Sequence, residues 1–238
     1  MITTGVQLAT FITGLNAEAT IDPDLLSVLV SNAKAVLEEE RPWMVLRKTD
    51  TSKTVTTGNT WQTAIDLSTI ADFSALLVNG DGIAVKLFDG GDRIEYYSLK
   101  PFDQRLEWKN VSHTCVYDEN AKILYLNGTV PFNGTLHIPY SSTSTEIDLT
   151  SNSAVWTVFP ARFLPILGYY AIGINKGAID YDSINRQMLP SNSAVLSALK
   201  EAMTKWDDTK QLAVIQSNDP SEHAGGYPRA GAIDRYNH

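Results

Sequence analysis

The chain has 238 residues, a net charge of -8 and a single cysteine, Cys115. That length supports a full hydrophobic core without metal or disulfide staples, and one cysteine excludes an intramolecular disulfide and fits a reducing compartment. The acidic balance argues against a surface that grips nucleic acid by its phosphates, and no apolar run is long enough to span a bilayer as a helix.

Thr4 and Gln7 have capping-box spacing, and Leu8, Phe11, Ile12 and Leu15 then line one face of a short helix that Asn16 ends. Before it, no basic start and continuous apolar stretch of a secretory signal is found, so the chain is expected to be unexported. Asp22-Pro23 is the next start signal: the aspartate accepts from free amides, and proline at the first helical position loses no needed donor. A helix follows with Leu26, Leu29, Ala33, Val36 and Leu37 as its buried stripe, and Pro42 stops it. Glu38, Glu39 and Glu40 crowd its carboxyl end, where the helix dipole disfavours acid. They read as a solvated face, with contact to a basic neighbouring subunit as the alternative.

From Trp43 to Leu149 the period changes to two. Strands are expected at Met44–Lys48, Thr54–Thr57, Gln62–Leu67, Ala75–Val78, Ala84–Phe88, Ile94–Leu99, Thr114–Tyr117, Ile123–Leu126 and Thr135–Tyr140. Gly58-Asn59, Asn79-Gly80-Asp81-Gly82, Asp89-Gly90-Gly91-Asp92 and Asn127-Gly128 supply the positive backbone dihedrals of tight turns.

Helical spacing returns with Phe159, Phe163, Ile166, Leu167, Tyr170, Ala171, Ile174 and Ala178. Gly168, Gly173 and Gly177 in that stretch require something packed closely against them. A second pattern, Leu196, Leu199, Met203 and Trp206, follows the capping residues of Pro190-Ser191-Asn192-Ser193. Beyond Ser217 the composition turns too polar to fold alone. The expected fold is α+β: helices at the N- and C-terminal ends around a central antiparallel β-sandwich or barrel, with an extended C-terminal tail. Its divisions are N-terminal helices over 1–42, a β-domain over 43–150, C-terminal helices over 151–216 that pack with the N-terminal ones, and a docking tail over 217–238.

No chemical motif stands out. Asn79, Asp81 and Asp89 lack the alternate oxygens and closing acid of a calcium loop, and read as turn residues. His113 and Cys115 project to one face of a strand, with His137 within reach across the sheet, yet that is short of a zinc set and reads as packing. Asp66, Asp72, Glu95, Glu107, Asp118 and Glu119 include pairs that could reach glycosidase separation, as any acidic β-protein does. No nucleophile elbow, phosphate-binding glycine loop or His-Glu-x-x-His is present, so neither catalysis nor a cofactor is expected. Trp43, Trp61, Trp108, Tyr96, Tyr97, Tyr125 and Tyr140 form core and interface, or alternatively a sugar-stacking platform.

Read end to end, the order of parts resembles the head-to-tail adaptor proteins of tailed bacteriophages. The opening helix with Leu8, Phe11, Ile12, Leu15 and Asn16 is similar to that family's, as is the second helix running to Glu39-Glu40-Arg41-Pro42-Trp43. Trp61 to Leu67 followed by Asp72-Phe73 resembles the family's aromatic-x-Leu-Pro-x-Asp-Phe segment, although Ser68-Thr69-Ile70-Ala71 replaces the short proline link. His137-Ile138-Pro139-Tyr140 and the helix-opening Phe159-Pro160-Ala161-Arg162-Phe163 complete a likeness that runs from Thr4 to Gln216.

The resemblance implies a structural virion protein, not an enzyme: a homo-oligomeric ring, a dodecamer, in the neck between capsid and tail. It would dock on the portal protein, offer its other face to a downstream tail or nozzle protein, and let double-stranded DNA pass. Tyr227, Arg229, Arg235 and Tyr236 are the candidate portal anchors, since aromatic residues and arginine dominate interface energetics. Glu201, Asp207 and Asp208 are candidate lumen-lining acids that would repel phosphate. The alternative is a carbohydrate- or receptor-binding β-module of a virion.

Overall fold

The computed structural model describes residues 1–15, 21–58 and 62–217, with side chains described to 210. Two helices open the chain, α1 (Gly5–Leu15) and α2 (Pro23–Glu39). The capping box of α1 forms as its spacing requires: the Gln7 amide donates to Thr4 Oγ1 at 3.2 Å, and Gln7 Oε1 accepts from the amides of Thr3 and Thr4. At α2, Asp22 Oδ1 accepts from the Asp24 and Leu25 amides with Pro23 at the first position.

Nine strands follow among the described residues: β1 (Arg47–Asp50), β2 (Thr54–Val55), β3 (Gln62–Asp66), β4 (Phe73–Leu76), β5 (Ile83–Phe88), β6 (Ile94–Lys100), β7 (Thr114–Asp118), β8 (Ile123–Asn127) and β9 (Gly134–Ser142). The first expected strand starts late, because Met44–Leu46 winds into a 3₁₀ turn before β1. All belong to one curled sheet, a half-barrel, in the order β1-β9-β5-β6-β7-β8-β3. It is mixed, which corrects the expected all-antiparallel sandwich or barrel: β6 and β7 run parallel, joined by a crossover over residues 101–113 that carries the short helix α3 (Arg105–Trp108). β9 organises the sheet, since β1 and β2 pair end to end along one of its edges and β4 and β5 along the other. Its alternation puts Leu136, Ile138 and Tyr140 into the sheet's apolar cluster and leaves His137 and Pro139 on the opposite face.

Helices resume with α4 (Pro165–Asn175), α5 (Tyr181–Gln187) and α6 (Pro190–Ser217). The first of these is shorter than its spacing suggests. It stops where the Gly177 amide bonds back to Ile174 O and the Ala178 amide to Gly173 O, the two bonds of a Schellman motif, with Gly177 at φ +85°. α4 is the axis of a second apolar cluster that gathers Leu8 and Ile12 of α1, Leu29 and Leu37 of α2, Trp43, Trp156, Phe159, and Leu196 and Met203 of α6. Two glycines explain how closely the helices approach α4. A Cβ on Gly168 would lie 2.8 Å from the Phe11 ring of α1, and one on Gly173 would lie 2.6 Å from Ile184 of α5.

Candidate interaction surfaces

The anchors Tyr227, Arg229, Arg235 and Tyr236 lie outside the described residues. The three lumen candidates share α6 but differ in situation. Glu201 is exposed and ion-paired to Lys205 one turn on, at 2.6 Å, a bond that lowers its pKa. Asp208 is half exposed and accepts from Arg41 at 2.8 Å. Asp207 is fully buried, which corrects its assignment to a lumen. Its Oδ1 accepts the Met44 amide at 2.7 Å, and its Oδ2 lies 3.2 Å from Arg41 Nη2 without hydrogen-bond alignment. The physical reason is local: the 3₁₀ turn at Met44–Leu46 leaves an amide facing α6, and a carboxylate satisfies it better than water can reach it. Asp207 therefore ties α6 to the segment between α2 and β1.

Of the acids at the end of α2, Glu38 is internal, which corrects the solvated face expected of it, whereas Glu39 and Glu40 are exposed. Glu38 is buried and accepts from the Ser144 amide at 3.1 Å, from Ser144 Oγ, and from Trp156 Nε1 at 2.9 Å, with Lys34 Nζ 3.5 Å away. Glu40 pairs with Lys200 of α6. Only Glu39 of the three is left to solvent without a partner among the described residues. Glu38 thus clasps the connection after β9 onto α2, and Glu40 clasps α6.

The remaining chemical groups are kept apart. His113 precedes β7 with φ +61°, so strand alternation does not include it; its ring pairs with Glu95, while Cys115 is buried with its thiol 3.9 Å from Tyr97 O. His137 packs on Phe88 at 4.1 Å, and no group of three metal-ligating side chains occurs among the described residues. Asn79 and Asp89 do turn chemistry: Asn79 Oδ1 accepts from the Asp81 and Ile83 amides, and Asp89 Oδ1 from those of Gly91 and Arg93. Asp66 caps Ser68, Asp118 accepts from the Ala121 amide, and Asp72 binds Lys48 and Tyr140. The hydrogen bond from Lys48 holds the Asp72 carboxyl below its usual range. The aromatic residues are divided as well. Trp43 meets Phe159 edge-on in the helical cluster, Tyr97 and Tyr140 are buried in the sheet cluster, and Trp61 lies outside the described residues.

A surface that the periodicity analysis did not single out is the outer face of α2. Leu25, Val28 and Val36 are 45%, 55% and 37% exposed, with Asn32 and Ala35 exposed between them. These positions recur at helical spacing on the side opposite Leu26, Leu29, Ala33 and Leu37, so Val36, expected in the buried stripe, belongs to the exposed side instead. Between Asp24 and Glu39 that face carries no charge, because the two charged residues in the interval, Lys34 and Glu38, are buried and turned to each other. The signal was present in the sequence as a helix apolar on more than one side. No model of a known protein family matches the chain, and no curated protein matches it.

Proposed function

We propose that the chain is a head-to-tail adaptor of a tailed bacteriophage: a structural virion protein whose copies form a dodecameric ring, joining the portal to a downstream tail or nozzle protein and letting DNA pass. In this reading helices from both chain ends form one body beside the sheet, and the segment after Ser217 is an extended tail that docks on the portal. Besides the order of parts, the observation that supports it is the outer face of α2. A row of half-exposed apolar side chains without charge is costly in a solitary protein and marks a contact surface. In the ring, that face of one subunit meets the next. Glu201 and Asp208 remain the lumen candidates, each already offset by a basic neighbour.

Negative-stain electron microscopy of the purified chain, alone and mixed with the portal protein encoded near it, tests the proposal. Rings that appear or lengthen on mixing, and that fail with Val28→Lys or with truncation after Ser217, are the expected result. A chain that stays monomeric with and without portal would overturn it.

A further inference from the structure

The outer face of the sheet holds a groove. Two adjoining cavities, about 370 and 310 Å³, share Thr49, Asn79 and Pro139. The groove exists because β4 and β5 meet β9 end to end, so the chain leaves the sheet between them at residues 77–82 and raises a wall beside His137 and Pro139. Its floor is apolar, built from Pro139, Phe88 and Val78.

Its charge is opposite to that of the molecule. The chain has 27 acidic and 19 basic residues, yet among the described residues no carboxylate lines either cavity, whereas Arg47, Lys48 and Lys86 do. Arg47 donates through Nε to Pro42 O at 3.0 Å, and Lys86 Nζ lies 5.8 Å over the Tyr96 ring. Neither forms an ion pair among the described residues, whereas nearby Lys48 is taken by Asp72. Asn79 uses Oδ1 within its own turn, and its Nδ2 stays available as a donor.

We infer that this groove binds an extended acidic peptide segment of a partner protein. Arg47 on β1 pairs with Ser141 of β9 and Lys86 on β5 with His137, so they stand two strand spacings apart across β9 and four residues apart along it, about 16 Å, a span that the two long side chains shorten. In an extended peptide, side chains four residues apart share a face and are separated by about 13 Å. The fitting pattern is therefore acid-x-apolar-x-acid, with the carboxylates at Arg47 and Lys86 and the apolar side chain on Pro139 and Phe88. Nucleic acid fits less well. Two cations supply few phosphate contacts, and the rest of this acidic chain repels a polyanion.

The test is an array of nonamer peptides in which two aspartates flank a central valine at separations of two to six residues, each beside its asparagine counterpart. It is probed with the full chain and with its Arg47→Glu and Lys86→Glu variants. Both side chains are exposed, and circular dichroism checks that each variant is folded. The expected result is strongest binding at a separation of four, weakened about tenfold or more by either variant and by asparagine, and falling with salt. Equal binding of the asparagine peptides, indifference to both variants, or no peptide bound would overturn the inference. Displacement of bound peptide by oligothymidine at equal concentration would overturn it too, and assign the groove to phosphate.

Discussion

Removing the Asp207 carboxylate should release α6. Asp207→Ala leaves the part-buried Met44 amide without its acceptor at 2.7 Å and takes one of two acidic partners from Arg41, which keeps Asp208 at 2.8 Å. A hydrogen bond to a charged group contributes about 1.5–3 kcal/mol, and breaking a buried ion pair costs about 3–5 kcal/mol. Because Arg41 is partly exposed and retains a partner, the expected loss is near the overlap, about 3 kcal/mol. Asp208→Ala, at a half-exposed position, should cost under about 1 kcal/mol. Hydrogen exchange read by mass spectrometry separates the two. If α6 opens locally, 3 kcal/mol raises its exchange rate about 150-fold, while the strands of the sheet keep their protection. Equal exchange in the Asp207 and Asp208 variants would show that the carboxylate is not what fastens this helix.

Glu38→Ala strands Trp156 Nε1 in the interior and leaves buried Lys34 only the exposed Glu146 at 3.8 Å; it should destabilise the protein by about 3–5 kcal/mol in urea unfolding, whereas Lys34→Met with Glu38→Leu should recover most of the loss. Gly173→Ala drives a methyl group against Ile184 and should cost about 1–3 kcal/mol; Ile184→Ala added to it should show favourable coupling in a double-mutant cycle. Burial pushes the Cys115 thiol from 9.0 up to about 12, so it should resist a thiol-specific reagent at pH 8 until the protein unfolds. Since the folded protein binds that proton more tightly, its contribution to stability is complete below about pH 9 and is lost as pH rises towards about 12. Denaturation midpoints that stay flat across that window, with no other group compensating, would contradict it.

Local chemistry was legible in the sequence because it depends on residues within a few positions of one another. The capping box at Thr4, the aspartate-proline start of α2, the turns at Asn79 and Asp89, and every strand in outline follow from period and backbone preference alone. The α5 helix was missed, being too short to show a period, and the expected helix through Ala178 ends early because a glycine permits a Schellman turn. What the alphabet of residue types leaves open is who meets whom across distance. Glu38 and Asp207 look like surface acids by type, and become internal fasteners only because Ser144, Trp156, Arg41 and the Met44 amide arrive from elsewhere in the chain, while exposed Glu40 finds Lys200 in the same way. His113 and Cys115, two residues apart, part company because a positive φ at His113 precedes the strand. In the same way the parallel β6–β7 pair, the double pairing along each edge of β9 and the basic groove above it are products of topology. Sequence determined which segments become helix or strand, since that energy is local; tertiary structure decided which charges are buried and which surfaces are left open, since desolvation depends on every neighbour at once.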